Sequence, residues 1–305
     1  MDESSVKTTV LSMIHRLTIG CKLNLYLDIT GVRPNGYHEL DSVFHPCPEP
    51  HDTLELTLTG GLGGLVLSCS DPSLEGPDNL AARAYEAFAA ATGRRPGLLA
   101  HLVKGIPAGA GLGGGSADAA AMLGWLNGEA GRPLEAAALK ALAVRLGADV
   151  PFFLVNRPVR ARGIGDVLTP CDVDLSGLTV VVAVPPARVN TAWAYARWDE
   201  AARRREGNAL SGFDASLPLT SLSSTGMTSF CASGTFIANC FEAVVFKAYP
   251  QVGLLKERLL VLGASAAGMS GSGSAVFGIF RHSAQADAAL SALASSGTAV
   301  FSALL

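Results

Sequence analysis

Five glycines crowd into seven residues of this chain, Gly109, Gly111, Gly113, Gly114 and Gly115, and strong helix formers follow at once. No other stretch limits the fold as much. Glycine lacks a Cβ, so it reaches φ > 0 and leaves main-chain N–H groups uncovered. Where such a loop opens a helix, free amides and the positive end of the helix dipole converge on one spot and form an anion cradle. Ser116 falls where a helix N-cap, or a hydroxyl for phosphate or Mg²⁺, would sit. The simplest ligand for the cradle is a nucleotide polyphosphate.

Glycine-rich connectors also serve as plain turns or linkers. A linker, however, needs neither the strand-like run Leu98 to Val103 ahead of it nor the helical run Ser116 to Asn127 behind it. No lysine follows the glycines, so the loop is not of the G-x-x-x-x-G-K-[ST] type. Gly111-Leu-Gly113 fits the start of a dinucleotide fingerprint, but it follows a proline turn rather than the end of a strand.

At 305 residues the chain is long for one core, and two domains are expected, residues 1–158 and 159–305. Hydrophobic residues at 49% and charged residues at 16% describe an apolar globular protein. The net charge of -3 offers no basic surplus, so no nucleic-acid partner is expected. Six scattered cysteines without a C-x-x-C pair suit free thiols in a reducing compartment better than disulfides or a zinc site. No apolar run approaches the roughly 20 residues needed to span a bilayer, and Met1 to Arg16 lacks the apolar core of a secretory signal. A soluble cytoplasmic protein with no membrane partner is the expectation, or a plastid stromal one for a plant or alga. As for assembly, a monomer or a homodimer is expected.

Lys22 to Thr30 alternates, placing Leu23, Leu25, Leu27 and Ile29 on one face of a half-buried strand and Lys22, Asn24, Tyr26 and Asp28 on the other. Asn35-Gly36 supplies the φ > 0 positions of a hairpin turn. Thr53 to Thr59 and Leu65 to Ser70 read as strands joined by a second glycine cluster, Gly60 to Gly64, taken as a hairpin connection because no helix follows it. Helices are expected over Asn79 to Thr92, Ser116 to Asn127 and Pro133 to Leu146, then an apolar strand over Val150 to Val155. The second half reads as a strand (Leu178 to Val184), a helix (Thr191 to Arg205), a long Ser/Thr/Gly-rich connector (Ser211 to Gly234) and helices within Asn239 to Leu262. A strand (Ser274 to Phe280), a helix (Ala284 to Ala294) and a terminal strand complete it. The alternation suits an α+β sandwich with helices covering one sheet face.

Two more constellations carry chemistry. Asp149 stands beside the apolar residues Val150, Phe152 and Phe153, and an ionised carboxylate near a dry core needs a partner. Lys22, the basic residue of the strand that opens at Lys22, is the candidate. Such a pair beside a polyphosphate could position and deprotonate an alcohol. Gly268 to Ser274 is a third glycine-rich element, which as structure alone is a tight connection from helix to strand. With the first loop present, its backbone is expected to pack on the phosphate or substrate side of the cleft. Tyr37 and His38 follow the hairpin turn; they are either a solvated surface pair or a stacking face with a hydrogen-bonding edge for a base-bearing substrate.

Together these pieces resemble the GHMP kinases. The resemblance rests on Lys22-Leu-Asn-Leu-Tyr-Leu27, Gly31-Val-Arg-Pro-Asn-Gly-Tyr-His-Glu39, Gly109-Ala-Gly-Leu-Gly-Gly-Gly-Ser116, Gly147-Ala-Asp-Val-Pro-Phe-Phe153 and Met269-Ser-Gly-Ser-Gly-Ser274. It runs from about Lys22 to Phe280, and the Tyr-His pair is similar to the branch that acts on a cytidine-diphosphate conjugate in the non-mevalonate route to isoprenoids. The family implies an α+β, two-domain fold, with an N-terminal ATP-binding domain, a C-terminal ferredoxin-like domain and the active site in the cleft. It also implies Lys22 and Asp149 as the catalytic pair, with ATP as co-substrate and Mg²⁺ bridging phosphate oxygens; no metal ligand is identifiable. ATP phosphates would be wrapped by Pro107, Ala108, Gly109, Ala110, Gly111 and Leu112, continuing through Gly113, Gly114, Gly115, Ser116 and Ala117. Asn24, Tyr37, His38, Ser272 and Gly273 fall on substrate-binding positions, with Tyr37 stacking on cytosine. The acceptor would be a tertiary 2-hydroxyl of the conjugate; rival readings are a GHMP kinase for another alcohol, such as homoserine or mevalonate, and a silent nucleotide-binding module. Three positions depart from the branch pattern: Asn35 and Cys240 stand where Asp is usual, and Asp166 where Glu is usual.

Overall fold

A computed structural model of the chain describes residues 13–59, 63–206, 237–294 and 297–305. The connector from Ser211 to Gly234 and most of the Gly60–Gly64 cluster lie outside the described residues. Two sheets form the frame. The first holds β1 (Ile14–Val32), β2 (His38–Thr59), β3 (Gly64–Cys69), β4 (Gly97–Val103), β5 (Val159–Gly163) and β6 (Val167–Pro170). The second contains β7 (Thr179–Val184), and β8 (Ala238–Asn239) returns from the second half of the chain to pair in parallel with β1. β9 (Ala266–Met269), β10 (Val276–Phe280) and β11 (Ala299–Leu304) complete the second sheet in the order β11-β7-β10-β9, every neighbour antiparallel.

Helices α1 (Leu80–Thr92), α2 (Gly114–Glu129) and α3 (Ala136–Leu146) cover the first sheet. Tyr85, Phe88, Met122, Leu123 and Leu126 meet Leu54, Leu56, Leu98 and Leu102 there, all essentially excluded from water. α1 starts one residue later than expected because Asn79 is its cap: the Asn79 side chain accepts from the Ala81 N–H, and Gly93 takes the left-handed conformation that ends a helix. α4 (Val150–Val155) and α5 (Thr191–Glu206) follow, then α6 (Glu242–Ala248), α7 (Pro250–Val261) and α8 (Ser283–Ala294). The order β7-α5 … α7-β9-β10-α8-β11 with this strand arrangement is the split β-α-β pattern of ferredoxin-like domains.

β7 is apolar on both faces because both are covered. Val181 and Ala183 pack into the helix-side core, while Val180 and Val182 face Leu23 and Leu25 of β1. No described helix is long and apolar enough to cross a membrane.

The structure corrects several expectations. β1 is a longer strand with irregularities, one of them between Asn24 and Tyr26. Leu23 and Leu25 therefore belong to one core, and Leu27 and Ile29 to another, rather than to a single face. β2 and β3 are not a hairpin; β4 lies between them, antiparallel to β2 and parallel to β3. α2 begins at Gly114 with Gly113 as its N-cap, so Ser116 is already helical and does not cap it. The run Val150–Val155 is a short helix, not a strand, with proline in its first turn. The division drawn after residue 158 falls ahead of β5 and β6, yet β5 is hydrogen-bonded to β2 and the hairpin belongs to the first sheet. Gly268 to Ser274 starts within β9 and leads to β10, so it joins two strands rather than a helix and a strand.

Candidate active site

The glycine loop bridges β4 and α2. Gly109, Gly111 and Gly113 adopt φ of 70°, 81° and 76°, a region that side chains disfavour. Residues Ile106 through Ser116 line one side of a cavity of about 520 Å³, faced by Ser73 to Glu75 and Asp78 to Leu80, with Lys104 and Asp118 also in its wall. The loop lies against β1: the Lys22 N–H donates to the Leu112 carbonyl at 2.9 Å. A Cβ on Gly113 would sit 3.1 Å from Lys22 Cγ and 3.0 Å from the Phe153 ring, so chain and lysine touch.

The third glycine-rich element packs main chain to main chain on the first. The Ala275 N–H donates to the Ala110 carbonyl at 3.0 Å, and the Ser270 hydroxyl donates to the Gly111 carbonyl at 3.0 Å. Two residues just before and within α6 brace it. Asn239 Nδ2 donates to the carbonyls of Met269 and Gly271, and Glu242 accepts from the Met269 N–H while holding Lys256.

Beside this junction Lys22 Nζ lies 3.2 Å from Asp149 Oδ2. The lysine is almost fully buried, donates to Asn24 Oδ1 at 2.9 Å and sits 4.2 Å above the Phe44 ring. The carboxylate is about one-third exposed at 32% and caps no helix N–H although it stands at the N-cap of α4. It is thus open to an incoming group on one side and held by an ammonium on the other. Removing Asp149 would leave the buried Lys22 ammonium without its carboxylate, which is costly, so the two act as a unit. Asn24 completes the row: its Nδ2 donates to Ser42, and its main-chain N–H to the Ser270 hydroxyl.

Tyr37 is 59% exposed in the turn closed by Gly36 at φ 84°. Its neighbour His38 points inward, Nε2 at 2.8 Å from Asp199 and its ring 4.6 Å from that of Tyr195, both on α5. The same helix begins at Thr191, whose hydroxyl bonds Ser272 at 2.8 Å. At 1.5 Å per residue, α5 spans roughly 12 Å between these contacts and so ties the Tyr-His turn to the third glycine loop. Lys22, Asn24, Asp149 and the two loops are in direct succession; Gly273 lies against Gly111 across the loop contact.

The three departures have local accounts. Asn35 Oδ1 accepts from the Tyr37 N–H and shapes the turn as an aspartate would. Asp166 Oδ1 accepts from the Ile164 N–H in the turn beside Gly163. Cys240 donates its main-chain N–H to the Leu27 carbonyl, and burial pushes its thiol up to about 12, so it carries no charge there. Sequence reasoning missed Asp52, Lys104 and Asp118, a buried ionic cluster beside the cavity, and Tyr195 and Asp199 on α5. Their spacing carries no motif; only the charge of Lys104 just ahead of the loop marked the region.

Residues 79–157 match the model of the GHMP kinases N terminal domain, and residues 221–299 that of the GHMP kinases C terminal domain. The chain belongs to the GHMP kinase family. A homoserine kinase from Cytophaga hutchinsonii has the same fold, at TM-score 0.63 and 17% identity over 94% of both chains. Much stronger is the likeness to the 4-diphosphocytidyl-2-C-methyl-D-erythritol kinase of Solidesulfovibrio magneticus, 50% identical over 284 residues, which are 92% of this chain and 93% of that one. The enzyme of the same name from Nitratidesulfovibrio vulgaris is 44% identical over 95% of this chain and 98% of its own. A crystal structure of 4-(cytidine 5'-diphospho)-2C-methyl-D-erythritol kinase superposes at TM-score 0.78 and 34% identity, covering 94% of this chain and 98% of the other. Within the GHMP kinases, the chain belongs with the 4-diphosphocytidyl-2-C-methyl-D-erythritol kinases.

Proposed function

We propose that this protein transfers the γ-phosphoryl group of ATP to the 2-hydroxyl of 4-diphosphocytidyl-2-C-methyl-D-erythritol. The observation that carries the mechanism is the Lys22–Asp149 contact beside the glycine loop. Asp149 accepts the hydroxyl proton as the alcohol oxygen attacks the γ-phosphorus. Lys22 offsets charge on the attacking oxygen and holds Asp149 in place, itself steadied by Asn24. The amides of the loop from Pro107 to Ala117 cradle the phosphates, where positioning and fixed dipoles supply most of the acceleration.

Mg²⁺ would arrive on the nucleotide and neutralise its phosphates, with Ser116 in the cavity wall as a hydroxyl able to join its shell. The exposed Tyr37 ring is free to stack on cytosine, with His38 fixed beside it. Ser272, bonded to Thr191, and Gly273, whose carbonyl faces Gly111, would line the substrate side.

The test is a product assay with ATP and the cytidine conjugate, read by ADP release and the mass of the phosphorylated product. Asp149→Asn should lower kcat by about 10²–10⁴-fold while changing either KM little. Nucleotide binding without ADP release from the unaltered protein would overturn the proposal in favour of a silent module.

A further inference from the structure

A loop whose glycines have no side chains cannot anchor itself, so its shape is set by what grips its ends. Ser270 and Ala275 hold its middle. Its ends are held by a different residue, Asp52 of β2, which is fully buried. Asp52 Oδ1 accepts from the N–H groups of Gly105 and Ile106 at 2.7 and 2.8 Å, where the chain leaves β4 for the loop. Asp52 Oδ2 binds the ammonium of Lys104, which also reaches Asp118 Oδ2 at 2.7 Å. Asp118 stands in the second turn of α2, just past the loop.

One carboxylate therefore grips the chain before the loop directly and the helix after it through a single lysine. The packing there is close. A Cβ on Gly105 would lie 2.1 Å from the His51 carbonyl oxygen, and one on Gly114 3.0 Å from Ile106 Cγ2 and 3.4 Å from Asp52 Oδ2.

Stability alone does not explain this cluster. It buries two carboxylates against one ammonium and leaves Asp118 Oδ1 with no partner among the described residues. Buried ion networks of this kind are often no more stable than apolar replacements, whereas they can fix geometry. Burial alone would pull Lys104 down, but the adjacent Asp118 and Asp52 carboxylates raise it above the ordinary lysine value, so it stays a cation between them.

The geometry points to Asp52 as a positioning residue for the nucleotide: it sets the direction of the loop amides without touching the substrate. This rests on the reading that the loop and its cavity take the phosphates of ATP. Asp52→Asn is the informative change, because it keeps volume and one acceptor but turns an N–H toward the Lys104 ammonium. The full-length variant is checked for folding by circular dichroism. Its ATP Kd is measured by calorimetry, both KM values and kcat by ADP release, and protection of the amides of residues 105–114 by hydrogen exchange.

The Kd and KM for ATP should rise on the order of tenfold, the scale of a lost charge-assisted hydrogen bond. The amides of Gly105 and Ile106 should exchange faster, and the KM for the cytidine conjugate should stay within about twofold. Asp118→Asn should move ATP binding in the same direction by less, since Lys104 keeps Asp52. A folded Asp52→Asn protein with wild-type ATP affinity overturns the inference. If that variant does not fold, Asp118→Asn decides: weaker ATP binding at unchanged conjugate KM supports it, and unchanged ATP binding overturns it. The two levels separate cleanly. Failure of the unaltered protein to bind ATP removes the phosphate reading itself, whereas normal ATP binding that ignores residue 52 removes only its positioning role.

Discussion

Replacing Gly111 by alanine tests the contact between the two glycine loops with one methyl group. At φ 81° the new Cβ would stand 2.2 Å from the Ser270 carbonyl oxygen, 3.0 Å from the Ser270 carbonyl carbon and 3.2 Å from the Gly273 oxygen. All three atoms are main chain, so no side chain can swing aside. Ordinary contact begins near 3.4 Å, and the loops must therefore part by about 1 Å. That movement loosens the Ser270–Gly111 and Ala275–Ala110 hydrogen bonds, worth about 1 kcal/mol each. The left-handed conformation adds roughly 1–2 kcal/mol for any residue with a Cβ. The stability cost is then about 3–4 kcal/mol, and a 1 Å displacement of positioned groups lowers kcat/KM by about 10²-fold. Gly93→Ala is the matched control: φ is 69°, nothing lies within 4 Å, and the site is the end of α1. It should lose only the conformational term and keep its activity. Urea unfolding and ADP release measure the two quantities. Equal kcat/KM for the Gly111→Ala and Gly93→Ala proteins would refute the claim that loop-on-loop packing sets the site.

Two further outcomes follow from other residues. Tyr37→Ala should weaken binding of the cytidine conjugate by about 1–3 kcal/mol, the scale of base stacking, at unchanged ATP affinity; unchanged conjugate binding, read by calorimetry, would remove Tyr37 from recognition. Burial pushes the Asp118 carboxyl up to about 7 against the pull of Lys104. The folded chain then keeps a proton that the unfolded chain has released, so stability falls as pH climbs from the ordinary carboxylate value of 3.8 through about 7. Below that window both states are protonated and the difference vanishes. Between about pH 5 and about pH 8 the protein should lose on the order of a few kcal/mol relative to Asp118→Asn in urea unfolding. A pH-independent gap between the two would contradict this.

The parts of the molecule that were legible in sequence were those set by local chemistry. The end of α1 at Thr92 was legible because the Gly93 that follows is a left-handed stop, a single-residue decision. The turn at Gly36 was visible for a similar reason, its φ being 84°. Errors arose where distance in sequence or brevity erased the signal. Six apolar residues at Val150–Val155 fit a strand or a helix equally by pattern, and only Pro151 at the first turn favoured the helix. β9 was missed because Ala266–Met269 holds small residues rather than β-branched ones. That β4 would insert between β2 and β3 is a non-local pairing, which no turn composition reports. The Lys22–Asp149 proximity was inferred from charge beside apolar neighbours, and the structure brings the two together. Asp52 was invisible for the opposite reason: its partners Lys104, Gly105 and Ile106 lie more than fifty positions away, and nothing in its neighbourhood marks it as buried.

β1 has a consequence for how such proteins can be taken apart. Its leucines are split between two interiors, and β8 crosses back from the later half to lie alongside it. Neither half owns its whole filling. A lobe lifted out as a cassette and grafted elsewhere would arrive with an apolar seam open.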